Sequence, residues 1–155
     1  MAFDAAAIKS LYSEVTSHAS TLGIFPAGVT GHAPESPPGA GAAYAVWLSA
    51  ITPLPKLSGL AATSGRIEFT GHVYVKARAR PLEQVDPEVL LLAADLIAAY
   101  SADLTLGGTV MAVDLLGAYG TPLQSSVVFA DFEGTPLRVA EITLPIILDD
   151  IWSQS

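Results

Sequence analysis

The chain has 155 residues, which is the size of a single domain with a substantial core. Hydrophobic residues make up 51% of it, charged residues only 14%, and the mean hydropathy is +0.48. Such a chain must bury apolar surface either in a membrane or against protein partners. The most apolar helical stretch, residues 89–100, is shorter than the roughly 20 residues of a spanning helix and contains Asp95, which favours protein partners.

The charge and the cysteine count exclude further classes. A formal net charge of −8 argues against a general nucleic-acid binder, because phosphate contacts rely on clustered Lys and Arg. The absence of cysteine excludes disulfides, thiolate metal sites and cysteine nucleophiles. The first residues, Met1 to Asp4, do not resemble a signal peptide, so we expect the protein to stay in the cytoplasm where it is made.

The first third of the chain predicts a helix, a loop and a strand. Residues 4–22 carry apolar side chains at helical spacing and are followed by Gly23, which is typical of a helix end. Residues 26–41 are rich in Gly, Pro and Ala and predict a long surface loop ordered by a neighbouring subunit. Residues 43–52 predict a strand that ends at Pro53, and residues 53–59 predict a second loop.

The clearest pattern is the strict alternation of residues 66–80, which predicts a strand with one dry and one wet face. At about 3.3 Å per residue this strand runs roughly 50 Å, whereas a globule of this length has a radius of gyration near 15 Å. We therefore expect the strand to bend sharply or to protrude. Its predicted dry face comprises Ile67, Phe69, Gly71, Val73, Val75, Ala77 and Ala79.

A second helix is predicted from about residue 87 to residue 102. Asp86 supplies a helix cap, Pro87 the first helical position, and Glu88 an acid in the first turn. This helix is apolar almost all the way round, so we expect it to be covered on more than one side.

The last third predicts three strands, at residues 109–116, 126–132 and 137–148. A turn region occupies residues 117–122, and residues 133–136 look like a hairpin connection. Pro145 suggests that the last strand is an edge strand or is bulged, and residues 149–152 form an acidic tail with one large apolar side chain. The order of elements predicts one α+β domain, residues 1–155, with two helices packed on a mainly antiparallel sheet.

No motif in the sequence indicates catalysis, a cofactor or a metal. The glycines at 39 and 41 half-match a dinucleotide loop, but a predicted strand rather than a helix follows them. The histidines His18, His32 and His72 lack metal-ligand spacing. The acid pairs at 131/133 and 149/150 could act as weak calcium ligands or carboxylate pairs, but a solvated acidic rim fits them better. We expect no enzyme, no cofactor and no metal site.

The basic residues are concentrated on the wet face of the long strand. Arg66, Lys76, Arg78 and Arg80 are four of the seven basic residues. Three interpretations stay open for this face: plain solvation, contact with DNA, or pairing with an acidic edge of a neighbouring subunit. The lone Asp95 on the apolar helix likewise either faces solvent or pairs across a subunit boundary. The predicted interface residues are Arg66, His72, Lys76, Arg78, Arg80, Asp149, Asp150 and Trp152.

Several segments, which together span nearly the whole chain, carry a resemblance to a known family. They are residues 31–34 (GHAP) with 37–39 (PPG), the alternating strand, residues 86–87 (DP) leading to 99–101 (AYS), residues 107–110 (GGTV), 113–117 (VDLLG), 137–139 (LRV), 142–147 (ITLPII) and Trp152. These segments resemble tail terminator proteins of long-tailed actinobacteriophages.

The resemblance implies a hexameric ring in the virion that caps the tail tube, stops its polymerisation and contacts the head-completion proteins. DNA would pass through the lumen without sequence-specific binding. A head–tail stopper or a tail tube subunit is the nearest alternative. A nucleic-acid-binding module using the residue 66–80 strand face, or a small-molecule enzyme using His72, would belong to other classes.

Overall fold

The computed structural model describes residues 3–78 and 80–153. In these two ranges, two helices, six strands and a short 3₁₀ turn follow one another. They are α1 (Ala5–Ser20), β1 (Val29–Thr30), β2 (Ala43–Leu54), the 3₁₀ turn (Pro55–Leu57), β3 (Ala62–Lys76), α2 (Leu82–Ala102), β4 (Ala112–Val113), β5 (Gln124–Phe132) and β6 (Thr135–Ser153).

All six strands belong to one mixed sheet, and among the described residues only the β1–β2 pair is parallel. The long strands β2, β3 and β6 lie side by side and antiparallel. The outer side of β6 carries β5 along its first half and β4 at residues 146–147. Two helices pack on this mostly antiparallel sheet, so the predicted α+β class is confirmed.

The first predicted helix is confirmed, and its start has a clear cause. The Asp4 carboxylate accepts a hydrogen bond from the Ala7 N–H at 2.9 Å, which satisfies a free amide of the first turn. Leu11, Val15 and Ala19 recur every four residues and form the buried stripe. The predicted loop at residues 26–41 is also present, except that the two residues of β1 pair with β2 inside it.

The prolines at 53 and 145 do not have the predicted effects on the strands. Pro53 lies inside β2 rather than ending it, because beyond Ala45 only β3 borders this strand and the missing N–H costs no ladder bond. Pro145 lies in an interior strand, at the point where the outer neighbour of β6 changes from β5 to β4.

The long alternating strand has the predicted length but not the predicted bounds. β3 starts four residues earlier and ends at Lys76, while β2 and β6 border it on both sides. Its dry face is buried from Ile67 to Ala77; Ala79 lies outside the described residues. β6 is longer than predicted, because it continues through an irregularity opposite Ser64 to Ser153.

The second helix begins five residues before the predicted start. Asp86 does not cap it: the Asp86 carboxylate instead accepts a 2.8 Å hydrogen bond from Arg138 of β6. Pro87 therefore lies within the helix. The strand predicted at residues 109–116 shrinks to β4, since Gly107 and Gly108 adopt positive φ angles and residues 103–110 form turns.

The main core lies between the helices and one face of the sheet. Its buried centre includes the hydroxyl groups of Tyr44 and Tyr100, which lie 3.2 Å apart, and Tyr100 also donates to the Val15 carbonyl. A smaller apolar cluster lies on the opposite sheet face, around Ala45, Tyr74 and Val139. Neither described helix combines the length and apolarity needed to cross a membrane.

Candidate functional site

Arg66 does not lie on a wet face, in contrast to the prediction. Only 6% of its surface is exposed, because its guanidinium is enclosed by the loop after β4. Its Nε donates to Asp114 Oδ2 at 3.1 Å, Nη1 lies 3.1 Å from Glu68 Oε1, and Nη2 donates to the Thr121 carbonyl. Asp114 is buried too and also accepts the amides of residues 118 and 119. This ion pair ties the loop to the sheet.

The other three predicted basic residues are exposed near the end of β3. Lys76 is the last residue of the strand, and Arg78 follows in the turn. Arg80 pairs with Glu88 of α2, with 2.7 Å between Nη2 and Oε2. Within the described chain, Lys76 and Arg78 therefore have no carboxylate partner, and they alone present free positive charge from the predicted stripe.

The predicted acidic residues lie at the other end of the sheet. Asp149 accepts a 2.9 Å hydrogen bond from the Ser64 hydroxyl, and the Asp150 N–H donates to the same hydroxyl. Both residues are exposed. Trp152 is half-buried and covers Gly65, where an added Cβ would lie 3.2 Å from its ring.

The predicted interface residues thus form two groups rather than one site. In the sheet register Trp152 lies opposite Thr63, whereas Lys76 lies opposite Leu137. Thirteen residues of β3 separate the two positions, which corresponds to about 40 Å. If these charges pair between copies, the contact joins the opposite ends of two sheets.

His72 borders an apolar groove on the sheet face that carries no helix. Its ring meets Trp47 edge-on at 4.9 Å, and its Nε2 lies 3.9 Å from Glu141 Oε1. Burial lowers the pKa of His72, and the nearby Glu141 carboxylate only partly offsets this. The groove has a volume of about 280 Å³, and Tyr74, Phe132, Val139 and the loop residue Pro34 complete its wall.

The remaining histidines differ in their surroundings. His18 is hydrogen-bonded through Nδ1 to the Glu14 carbonyl and through Nε2 to Asp103 at 3.0 Å, so it links α1 to the turn after α2. The hydrogen bond from His18 lowers the pKa of the Asp103 carboxyl. His32 is exposed on the loop. Across residues 3–78 and 80–153, no group of three or more potential metal ligands comes together.

The outward face of α2 is apolar and uncovered. Val85, Val89, Ala93, Leu96 and Tyr100 face the core, so within the described domain one side of the helix is covered. The predicted cover on a second side would require another chain. Leu90 is 58% and Leu91 is 63% exposed. The exposed apolar residues at helical spacing are Pro87, Leu90, Leu91, Ala94 and Ala98, which we call the α2 stripe. Asp95 is exposed beside the stripe.

The sequence did not reveal that Asp114 is the partner of Arg66, nor the groove beside His72. It also did not show that the outer side of β5 has no neighbouring strand within the described residues. Asp114 stands within the apolar run of residues 113–116, and a carboxylate in such a run requires a partner when buried. That signal could have identified the Arg66 pair. The groove and the side of β5 depend on which strands are neighbours, which periodicity alone does not specify.

Comparisons with known proteins give only distant structural likeness. No protein-family model matches the chain, and no curated protein matches it. One solved structure without a descriptive name is 19% identical with a TM-score of 0.49, covering 99% of this chain and 97% of that one. A chain from the solved virion of a native gene transfer agent (GTA) particle is 14% identical with a TM-score of 0.36, covering 93% and 98%. Likeness of this degree carries no argument about function.

Proposed function

We propose that this chain is a structural virion protein: a tail terminator whose copies form a ring on the end of the tail tube. In this role it stops tube polymerisation and presents a surface to the head-completion proteins, while DNA passes through the lumen without sequence-specific contacts. The proposal is supported by the sequence resemblance, which spans nearly the whole chain, and by the uncovered apolar surface of the folded domain.

The α2 stripe is the observation that carries the proposal. A soluble monomer gains nothing from two leucines that are about 60% exposed on the same helix face. Burial of such a stripe against a different surface of the next copy is what a closed ring requires, because ring contacts are heterologous. The hypothesis of a neighbouring subunit beside Asp95 fits the same contact.

A charge substitution in the α2 stripe tests this proposal. We expect Leu91→Glu to abolish ring formation and leave the fold intact, because the side chain is exposed in the monomer but buried in the ring. Leu60→Glu is the matched control, since Leu60 is fully exposed and lies outside the stripe. Negative-stain images of the chain mixed with tail tubes should show rings on the tube ends for the control and none for Leu91→Glu. Rings of equal abundance in both would contradict the proposal.

The nearest alternatives are a head–tail stopper and a tail tube subunit of the same kind of tail. A tube subunit differs in that it grows into filaments on concentration, whereas a terminator stops at a ring. The nucleic-acid-binding alternative loses most of its basis, because Arg66 is buried with Asp114 and Arg80 pairs with Glu88. The absence of an enzymatic activity stays a prediction.

A further inference from the structure

The outer edge of β5 is an open hydrogen-bonding surface. The two-residue turn Glu133–Gly134, with φ angles of 51° and 86°, makes Phe132 and Thr135 a hydrogen-bonded pair. Because such pairs alternate along an antiparallel ladder, the N–H and C=O groups of residues 125, 127, 129 and 131 point away from β6. Within the described chain no backbone hydrogen bond reaches them. The strand contains neither Lys nor Pro, which commonly protect an edge.

The other side of the sheet is protected. On the outer edge of β2, the Tyr44 N–H donates to the Gly28 carbonyl, and the Leu48 N–H donates to the Tyr12 hydroxyl at 2.9 Å. Pro53, further along the same strand, has no N–H group that could donate a hydrogen bond. A second copy therefore cannot place a continuous ladder of β2 against β5, and the strand best able to pair with β5 is β5 itself.

We propose that two copies of the free chain form a two-fold dimer through antiparallel pairing of their β5 strands. The register that pairs all nine residues places the axis at Val128. It sets Val127 opposite the partner's Phe129, and Ser125 opposite the partner's Asp131. Residues with outward amide groups then face each other, as an antiparallel ladder requires.

A buried polar atom supports this register. The Ser125 hydroxyl is buried and, among the described residues, it alone is a buried side-chain polar group without a hydrogen-bond partner. Burying a hydroxyl without a partner is costly. In the dimer the carboxylate of the partner's Asp131 stands directly across the strand pair, where a turn of the Ser125 side chain about χ1 would bring the hydroxyl toward it. Its Oδ1 already accepts the Gly134 N–H, which leaves Oδ2 for the serine.

Exposed apolar side chains lie beside the same edge. Phe129 is 62% exposed on the helix side of the sheet, where the Arg138 guanidinium lies 4.0 Å from its ring centre. Arg138 also binds Asp86 of α2, and Leu90 is one turn further along that side of the helix. The edge and part of the α2 stripe are therefore neighbours.

The geometry of the dimer places these exposed apolar side chains between the two α2 helices. A two-fold axis normal to the sheet keeps both α2 helices on the same side, each packed over its own β6 and β3. Three strand spacings separate the two β6 strands, or about 14 Å, whereas packed helices lie about 8–10 Å apart. Phe129 and Leu90 from both copies fill the space between the helices.

This dimer is independent of the proposed function. Neighbouring subunits of a ring on a tube end are not related by a two-fold axis. The dimer is therefore a state of the free chain, before it assembles into a ring. It leaves Leu91 and Ala98, on the outward side of the α2 stripe, uncovered. Failure of the dimer would leave the ring test above unaffected, and the reverse also holds.

Single cysteines test the dimer, because the chain has none of its own. Val128→Cys places two thiols at the axis, where Cα atoms of a non-hydrogen-bonded pair are about 4.5 Å apart and a disulfide can form. Ala130→Cys is the matched control: its two copies are offset by four residues, about 13 Å, which is too far for a disulfide. We expect mild oxidation to give a covalent dimer for Val128→Cys only.

Sedimentation of the cysteine-free chain gives a second measurement. We expect a dimer at micromolar concentration, weakened about tenfold or more in Kd by Phe129→Lys and unchanged by Ile51→Lys on the exposed part of β2. A monomer at every concentration would overturn the proposal, as would equal cross-linking of both cysteine variants. Pairing of β5 with another protein only, and never with itself, would also overturn it.

Discussion

At the residue scale, the buried Arg66–Asp114 ion pair gives the prediction with the largest expected effect on stability. Both side chains are almost fully enclosed, so removal of one leaves an uncompensated buried charge. We expect Arg66→Ala to lower the free energy of unfolding by about 3–5 kcal/mol. Arg78→Ala, at an exposed residue of the same predicted stripe, should change it by about 0.5 kcal/mol or less. Urea denaturation compares the two, and equal effects would contradict the role given to Arg66.

His72 gives the protein a pH-dependent stability. Burial lowers its pKa below the ordinary value of about 6.5, so between these two values the unfolded chain binds more protons than the folded chain. The free energy of unfolding should therefore rise as the pH increases toward and through about 6.5. We expect His72→Gln to flatten this rise and His32→Gln, at an exposed loop position, to preserve it. Urea denaturation across this pH range tests both, and an unchanged slope in His72→Gln would argue against this origin.

At the element scale, Pro87 weakens the helix that carries the α2 stripe. As the sixth residue of α2, it cannot donate the hydrogen bond that the Glu83 carbonyl would receive. We expect Pro87→Ala to raise the free energy of unfolding by about 1–3 kcal/mol, since the restored N–H completes the helix ladder. Thermal denaturation measures the change. A lower stability in Pro87→Ala would mean that the proline sets the path of the chain into α2.

Local patterns predicted the elements better than their ends. The first helix and the hairpin connection predicted at residues 133–136 depend on neighbours in the sequence, and both are present, although the connection is shorter, a two-residue turn at Glu133–Gly134. The start of α2 was wrong because Asp86 finds Arg138, a partner 52 residues away, instead of the helix amides. Pro53 and Pro145 were misjudged for a similar reason: their effect depends on which strands are neighbours.

At the scale of the whole molecule, the sequence predicted which chemical types of surface occur but not where they lie. It indicated a basic face, yet folding buries Arg66 and separates Lys76 from the acidic end by about 40 Å of β3. It indicated an all-round apolar helix that needs a neighbour, and the folded domain leaves one side of α2 uncovered. The surfaces available for assembly are therefore the α2 stripe and the β5 edge.

The central claim, a ring that ends a tail tube, is tested most directly by negative-stain imaging of the purified chain mixed with tail tubes. The account predicts six-fold rings seated on tube ends, and tubes that no longer lengthen when further tube subunits are added. Images that show free protein, bare tube ends and continued growth would contradict it.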